Sequence, residues 1–164
     1  MKKLNKFQAI KVDKYGIKFK SGLECFCYEA LIQAGFKPMY EQQKFKIFEG
    51  FYNNFLKIYL PSKKSKNKKN TYLQVKSSKI LDITYTPDFI INLPTCLVII
   101  EIKGRANDRY PYIRKLFFKH IEEYAALNNL IVYFFEPHNQ SHVTDMLKIL
   151  LEECTLIPIL NEEI

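Results

Sequence analysis

The sequence predicts an α/β fold in which a central mixed β-sheet is flanked by helices, within one domain spanning residues 1–164. Three observations lead there. Helical segments and β-textured stretches follow the order helix, several strands, helix, strand, helix, the pattern of helices packed on the faces of a sheet. CLVII, residues 96–100, is apolar at five consecutive positions, as a strand covered on both faces must be. The chain is 48% apolar and 26% charged over 164 residues, the size and balance of a soluble domain with a substantial core.

Residues 1–20 carry seven lysines and one aspartate and read as a basic arm with a short strand or turn. SGLECFCYEALIQAGF, starting at Ser21, reads as a helix. Ser21 is its N-cap, Glu24 stands three residues on as in a capping box, and Gly35 follows the last turn. Leu23, Phe26, Ala30 and Leu31 form its apolar face. From Pro38 the texture becomes β, through PMYEQQKFKIF and FYNNFLKIYL with a turn expected near Glu49–Gly50.

PSKKSKNKKN, residues 61–70, holds five lysines and reads either as a solvated loop or as one that orders on a phosphate backbone. YLQVKSSKILDITYT returns to strand, and a hairpin over 88–103 follows. Then come an amphipathic helix with Ile113, Leu116, Phe117, Ile121 and Tyr124 on one side, the strand LIVYFFE, and a last helix capped by Ser141.

The formal net charge is +8, which favours a polyanionic partner, since each lysine or arginine meeting a phosphate releases a counterion. Cys25, Cys27, Cys96 and Cys154 form no CxxC pair and no zinc-ligand spacing, and Cys96 reads as a buried thiol, so a reducing cytoplasm is expected. MKKLNKFQAIKVDKYG has no apolar stretch after its lysines, so no secretory signal is expected. No membrane partner is expected, and no P-loop points to NTP hydrolysis. His138 and His142 straddle the expected cap, which argues against a shared metal, and His120 reads as a packed side chain.

The hairpin concentrates charge at one end. Along a strand Glu101 and Lys103 point the same way, about 6.6 Å apart at a rise of about 3.3 Å per residue. Folding FIINL onto CLVII through Pro94–Thr95 gives pairs that sum to 189, which puts Leu93 opposite Cys96 and Asp88 opposite Glu101. Pro94 does not suit the usual two-residue turns, so registers shifted by one or two residues compete with this one. Two buried carboxylates repel, and Lys103 can neutralise only one. A hard divalent cation on oxygen ligands accounts for the rest, against the plainer reading of a solvated Glu–Lys pair at a strand end.

PDF followed by EIK resembles the PD-(D/E)xK nuclease motif. With SGLE on the first helix, the YEQ strand entry, YTPDF and EIKG, residues 20–120 resemble the phage endonuclease I family of Holliday-junction resolvases. That resemblance implies a restriction-endonuclease-like core. It also implies a metal site of Asp88, Glu101, the backbone carbonyl of Ile102, and Glu24, served by Mg²⁺ with Mn²⁺ as substitute. Lys103 would activate the attacking water, Glu24, Asp88, Glu101 and Lys103 together forming the catalytic set. Arg114 and Lys115 would hold phosphates. Lys63, Lys64, Lys66, Lys68 and Lys69 are not part of the resemblance; they would join them if the lysine-rich loop orders on a phosphate backbone.

The activity implied is metal-dependent endonuclease cleavage of branched DNA, such as a four-way junction, by a homodimer. The segment between the first strand and YTPDF is longer here than in the family, which bears on whether N-terminal elements are exchanged between subunits. The alternatives are a related nuclease acting on duplex DNA in repair or transposition, and a non-catalytic DNA-binding module.

Overall fold

The computed structural model describes residues 10–61, 72–75, 79–104 and 109–156; the lysine-rich stretch at 62–70 and its five lysines lie outside them. The chain divides into two compact units, Met1–Lys44 with Thr86–Ile164, and Phe45–Tyr85. The protein is mixed α/β, with both antiparallel and parallel strand pairs.

The first unit begins with β1 (Val12–Lys14) and β2 (Ile17–Phe19), an antiparallel hairpin. Its two turn residues, Tyr15 and Gly16, both have positive φ (59° and 73°), the primed-turn geometry that matches strand twist. Phe19 is fully buried, so the basic N-terminal stretch is docked from this hairpin onward. α1 (Gly22–Gln33) follows, capped at its start by Ser21, whose side chain accepts the Glu24 N–H. It ends as Gly35 predicts. Gly35 (φ 86°) donates to Ile32 O and Phe36 N–H donates to Leu31 O, the two bonds of a Schellman closure. The buried side chains of α1 are Glu24, Cys25, Cys27 and Leu31, while Leu23, Phe26 and Ala30 are half-buried. β3 (Met39–Tyr40) completes this part.

The second unit contains β4 (Phe45–Phe48), β5 (Phe51–Tyr52), β6 (Ile58–Pro61), β7 (Tyr72–Val75), β8 (Lys79–Ile80) and β9 (Ile83–Tyr85). Their pairing is nested and antiparallel throughout: β4 with β9, β5 with β8, β6 with β7. The unit is therefore one irregular two-stranded ribbon. The turn expected at Glu49–Gly50 is not a reversal; the chain continues outward from β4 to β5. Gly50 is required there, because a Cβ would lie 2.3 Å from Ile80 O and 2.8 Å from Asp82 N.

The chain returns to the first unit with β10 (Phe89–Asn92), β11 (Cys96–Ile100), α2 (Tyr110–Asn128), β12 (Ile131–Phe135) and α3 (Gln140–Leu156). The sheet runs β12-β11-β10-β3, with β11 and β12 parallel and the other neighbours antiparallel. β11 is buried at all five positions, as its unbroken apolar run requires. One face of the sheet presents Phe89, Ile91, Val98 and Ile100 to α1 and to Val143, Met146 and Leu150 of α3. On the other face Phe134 meets Phe117 and Phe118 of α2 at ring-centroid distances of 6.2 and 4.8 Å.

α3 starts one residue before Ser141. Its first turn is closed by Asn139, whose Oδ1 accepts the His142 N–H at 2.9 Å, so the cap is Asn139 rather than Ser141. Among the described residues, no helix is long and apolar enough to cross a membrane.

Candidate metal centre

The β10–β11 ladder has the register that sums to 189: Phe89 faces Ile100, Ile90 faces Ile99, and Ile91 faces Val98. Asp88 and Glu101 are the next residues on each strand, where the ladder ends. Asp88 is held on two sides. Its backbone oxygen accepts Glu41 N–H at 2.9 Å, and its Oδ2 accepts Ile102 N–H at 2.7 Å. Glu101 donates its own N–H to Phe135 O across the parallel pair at 3.0 Å.

Both carboxylates are buried, Asp88 at 9% and Glu101 at 5% exposure. Burial, then the charge of Glu101, pushes the Asp88 carboxyl up to about 7. The Ile102 N–H and Lys103 pull in the opposite direction, while Glu24 adds to the rise. Glu101 Oε1 pairs with Lys103 Nζ at 2.5 Å, but Oε2 is buried and accepts no hydrogen bond. An uncompensated carboxylate oxygen inside a protein is costly.

Lys103 is placed by three contacts. Its N–H donates to Pro137 O at 3.0 Å, its ammonium meets Glu101, and it stands 4.1 Å above the centroid of the Tyr110 ring. Tyr110 in turn donates its hydroxyl to Glu136 Oε2 at 2.8 Å, the oxygen that Arg114 also grips at 2.8 Å. His138 Nε2 lies 3.4 Å from the other oxygen of Glu136. Burial alone would raise the Glu136 carboxyl, but Arg114, Tyr110 and His138 together hold it below the usual carboxylate range. Arg114 therefore faces a carboxylate and its neighbour Lys115 is exposed; the structure does not bring the two together as a pair.

Glu24 is buried and acts in α1's capping. Its Oε1 accepts Ser21 Oγ–H at 2.8 Å, and its Oε2 accepts Lys20 N–H at 2.9 Å and Tyr40 O–H at 2.6 Å. Its charge nevertheless reaches Asp88, and the charges of both raise the buried Cys27 thiol, pushed up to about 12 mainly by burial. Lys20 pairs with Glu41, and also feels Asp88 and Glu24. Glu41 itself has a positive φ of 48°, at the point where its N–H meets Asp88.

Sequence reasoning brought out Glu24, Asp88, Glu101 and Lys103. It missed Lys20, Tyr40, Glu41, Tyr110 and Glu136 as neighbours of the site. Tyr40 and Glu41 left a signal, in the YEQ strand entry. His138 and His142 come close, with rings 5.9 Å apart, but His142 Nδ1 accepts the His138 N–H.

Among the described residues no three Asp, Glu, His or Cys side chains are grouped so as to hold a metal ion. Mg²⁺ does not need three. It keeps several waters and is commonly bound through one or two carboxylates plus substrate phosphate. The orphaned Glu101 Oε2 and the desolvated Asp88 carboxyl fit such an ion. No family model matches the chain, and no curated protein or solved structure matches it.

Proposed function

We propose that the protein is a divalent-metal-dependent endodeoxyribonuclease of the PD-(D/E)xK type, acting on branched DNA in the manner of the endonuclease I resolvases that its motifs resemble. The observation that carries this is the pair Asp88–Glu101 at the end of a buried hairpin, with one oxygen lacking any hydrogen bond and Lys103 beside it.

Asp88 and Glu101, with the backbone carbonyl of Ile102, would hold Mg²⁺ or Mn²⁺. When bound, such an ion supplies Lewis-acid polarisation of the phosphodiester and neutralises developing charge. The chain's own residues do the rest. Lys103, held between Glu101 and the face of Tyr110, offers its ammonium to a phosphate oxygen and orients the attacking water. Glu136 fixes Tyr110 and Arg114, so the guanidinium is kept at the margin of the site. Glu24 could serve as a further ligand only by giving up its bonds to Ser21, Lys20 and Tyr40.

Nicking two strands of a junction symmetrically requires two active sites, which a homodimer with isologous contacts supplies. A cytoplasmic setting completes the proposal.

The test is cleavage of an immobile four-way junction beside a linear duplex of matching sequence, with Mg²⁺ or Mn²⁺ and with Glu101→Ala as control. Paired nicks near the branch, lost in the variant, are expected. Equal cutting of both substrates would remove the junction preference, and binding without cutting under either metal would overturn the nuclease reading.

A further inference from the structure

The ribbon Phe45–Tyr85 is unusual in both charge and surface. By sequence it holds nine lysines against Glu49 and Asp82, so +7 of the chain's net charge of +8 falls within 45–85 and only +1 in the rest; Lys46, Lys57 and Lys79 are the lysines among its described residues. Its rings are turned outward: Phe55 is 99% exposed, Tyr52 64%, Tyr59 55% and Phe51 49%. A two-stranded ribbon has no core of its own and is marginal in water, and this many exposed rings within 51–59 point to a surface that is covered in use.

Charge decides what covers it. A second copy of the ribbon would set +7 against +7, whereas a nucleic-acid strand complements both features. Lysines neutralise its phosphates, and flat aromatic rings take its bases, at about 1–3 kcal/mol for each stacked base. The two chemistries are already paired on one face. Tyr52 and Lys79 stand directly opposite each other in the β5–β8 ladder, with Lys79 Nζ 5.9 Å from the Tyr52 ring centroid. A base on Tyr52 would bring its own phosphate within reach of that ammonium.

We propose that this ribbon is a nucleic-acid-binding arm that grips an unpaired DNA strand, with Phe55, Tyr52 and Tyr59 as stacking rings and Lys57 and Lys79 on the backbone. It deepens the nuclease reading, and rests on it for taking DNA as the partner, by naming single-stranded segments such as those at an open branch as what the arm holds.

The test is binding of the full chain, in EDTA so that nothing is cut, to a fluorescent oligothymidylate, to a duplex of the same length and to vesicles of anionic lipid. Phe55→Ala and Tyr52→Ala are at exposed positions. Each is expected to weaken oligothymidylate binding about tenfold with an unchanged salt slope. Lys57→Gln and Lys79→Gln should each lower the magnitude of the salt slope by about 0.7.

Unchanged affinity in both ring variants would overturn the proposal. So would a duplex or a vesicle held more tightly than the single strand, or a shift in oligomeric state on substituting the rings, which would make the occupant a second copy. Ring-dependent binding in a chain that never cleaves any DNA supports the arm and removes the nuclease reading. Cleavage with ring-independent binding does the reverse.

Discussion

Asp88 Oδ2 accepts the backbone N–H of Ile102 at 2.7 Å, which clamps one carboxylate to the residue lying between Glu101 and Lys103. The bond stabilises the charged form of Asp88 but is outweighed by burial and by Glu101, so the carboxyl titrates at about 7. The hairpin end thus stores an electrostatic conflict that a bound cation would relieve.

Replacing Asp88 by Asn keeps an acceptor for Ile102 N–H and removes the conflicting charge. Asp88→Asn is expected to abolish cleavage while leaving DNA binding equal or tighter, and to stabilise the metal-free protein above pH 7 by about 1–3 kcal/mol. Cleavage assays, binding in EDTA and urea unfolding measure the three effects; persistent cleavage would show that the site lies elsewhere.

The same conflict sets a pH dependence. Folded, Asp88 takes its proton near pH 7, whereas an aspartate in an unfolded chain does so near pH 3.9. Between about pH 4 and 7 the folded state binds more protons, so stability falls as pH rises through that window. A tenfold change in proton affinity is worth about 1.4 kcal/mol, so the loss reaches a few kcal/mol in EDTA. Thermal melts at pH 5 and pH 8 should show it, and Mg²⁺ or Mn²⁺ should restore most of it at pH 8. A flat profile would mean that Asp88 is not strained by its surroundings.

Much of this site was legible because its logic is local. Five apolar residues in CLVII announce a covered strand, and period-two alternation then carries Glu101 and Lys103 to one face. Pair counting from the Pro94–Thr95 turn gives the observed Phe89–Ile100 register as one of a few that spacing allows, and the structure selects it. Tyr110 and Glu136 were not legible: they are 26 residues apart, and only the parallel return of β12 beside β11 brings them together. The cap of α3 was misplaced because Asn139 and Ser141 are both cap residues by chemistry. The choice is made by Val143, whose N–H reaches Asn139 O while its side chain is buried in the core. The ribbon escaped because its strands are two to four residues long and interrupted, so Glu49–Gly50 looks like a reversal when it is a break in a continuing strand.

Lys103 depends on the ring beneath it. An ammonium over an aromatic face is worth about 0.5–2 kcal/mol. Tyr110→Leu is expected to lower single-turnover cleavage about tenfold, whereas Tyr110→Phe, which keeps the ring but loses the bond to Glu136, should stay within about threefold. The Lys103 ammonium resonance should move in the Leu variant and remain in place in the Phe variant. Equal loss in both would assign the effect to the Glu136 hydrogen bond instead.

Glu24 separates two roles that one carboxylate cannot fill at once. It accepts bonds from Ser21, Lys20 and Tyr40, and these close the start of α1. Glu24→Gln keeps a single side-chain acceptor and is expected to cost about 1–2 kcal/mol in stability. If capping is its main work, single-turnover cleavage below the melting transition falls far less than in Asp88→Asn, and the Mn²⁺ concentration for half-maximal rate stays where it was. We expect that result, because taking up an ion at Glu24 means breaking three formed hydrogen bonds, whereas at Glu101 an oxygen already stands without one. A rise of tenfold or more in the Mn²⁺ requirement would instead make Glu24 a ligand, and would mean that the start of α1 rearranges when metal binds.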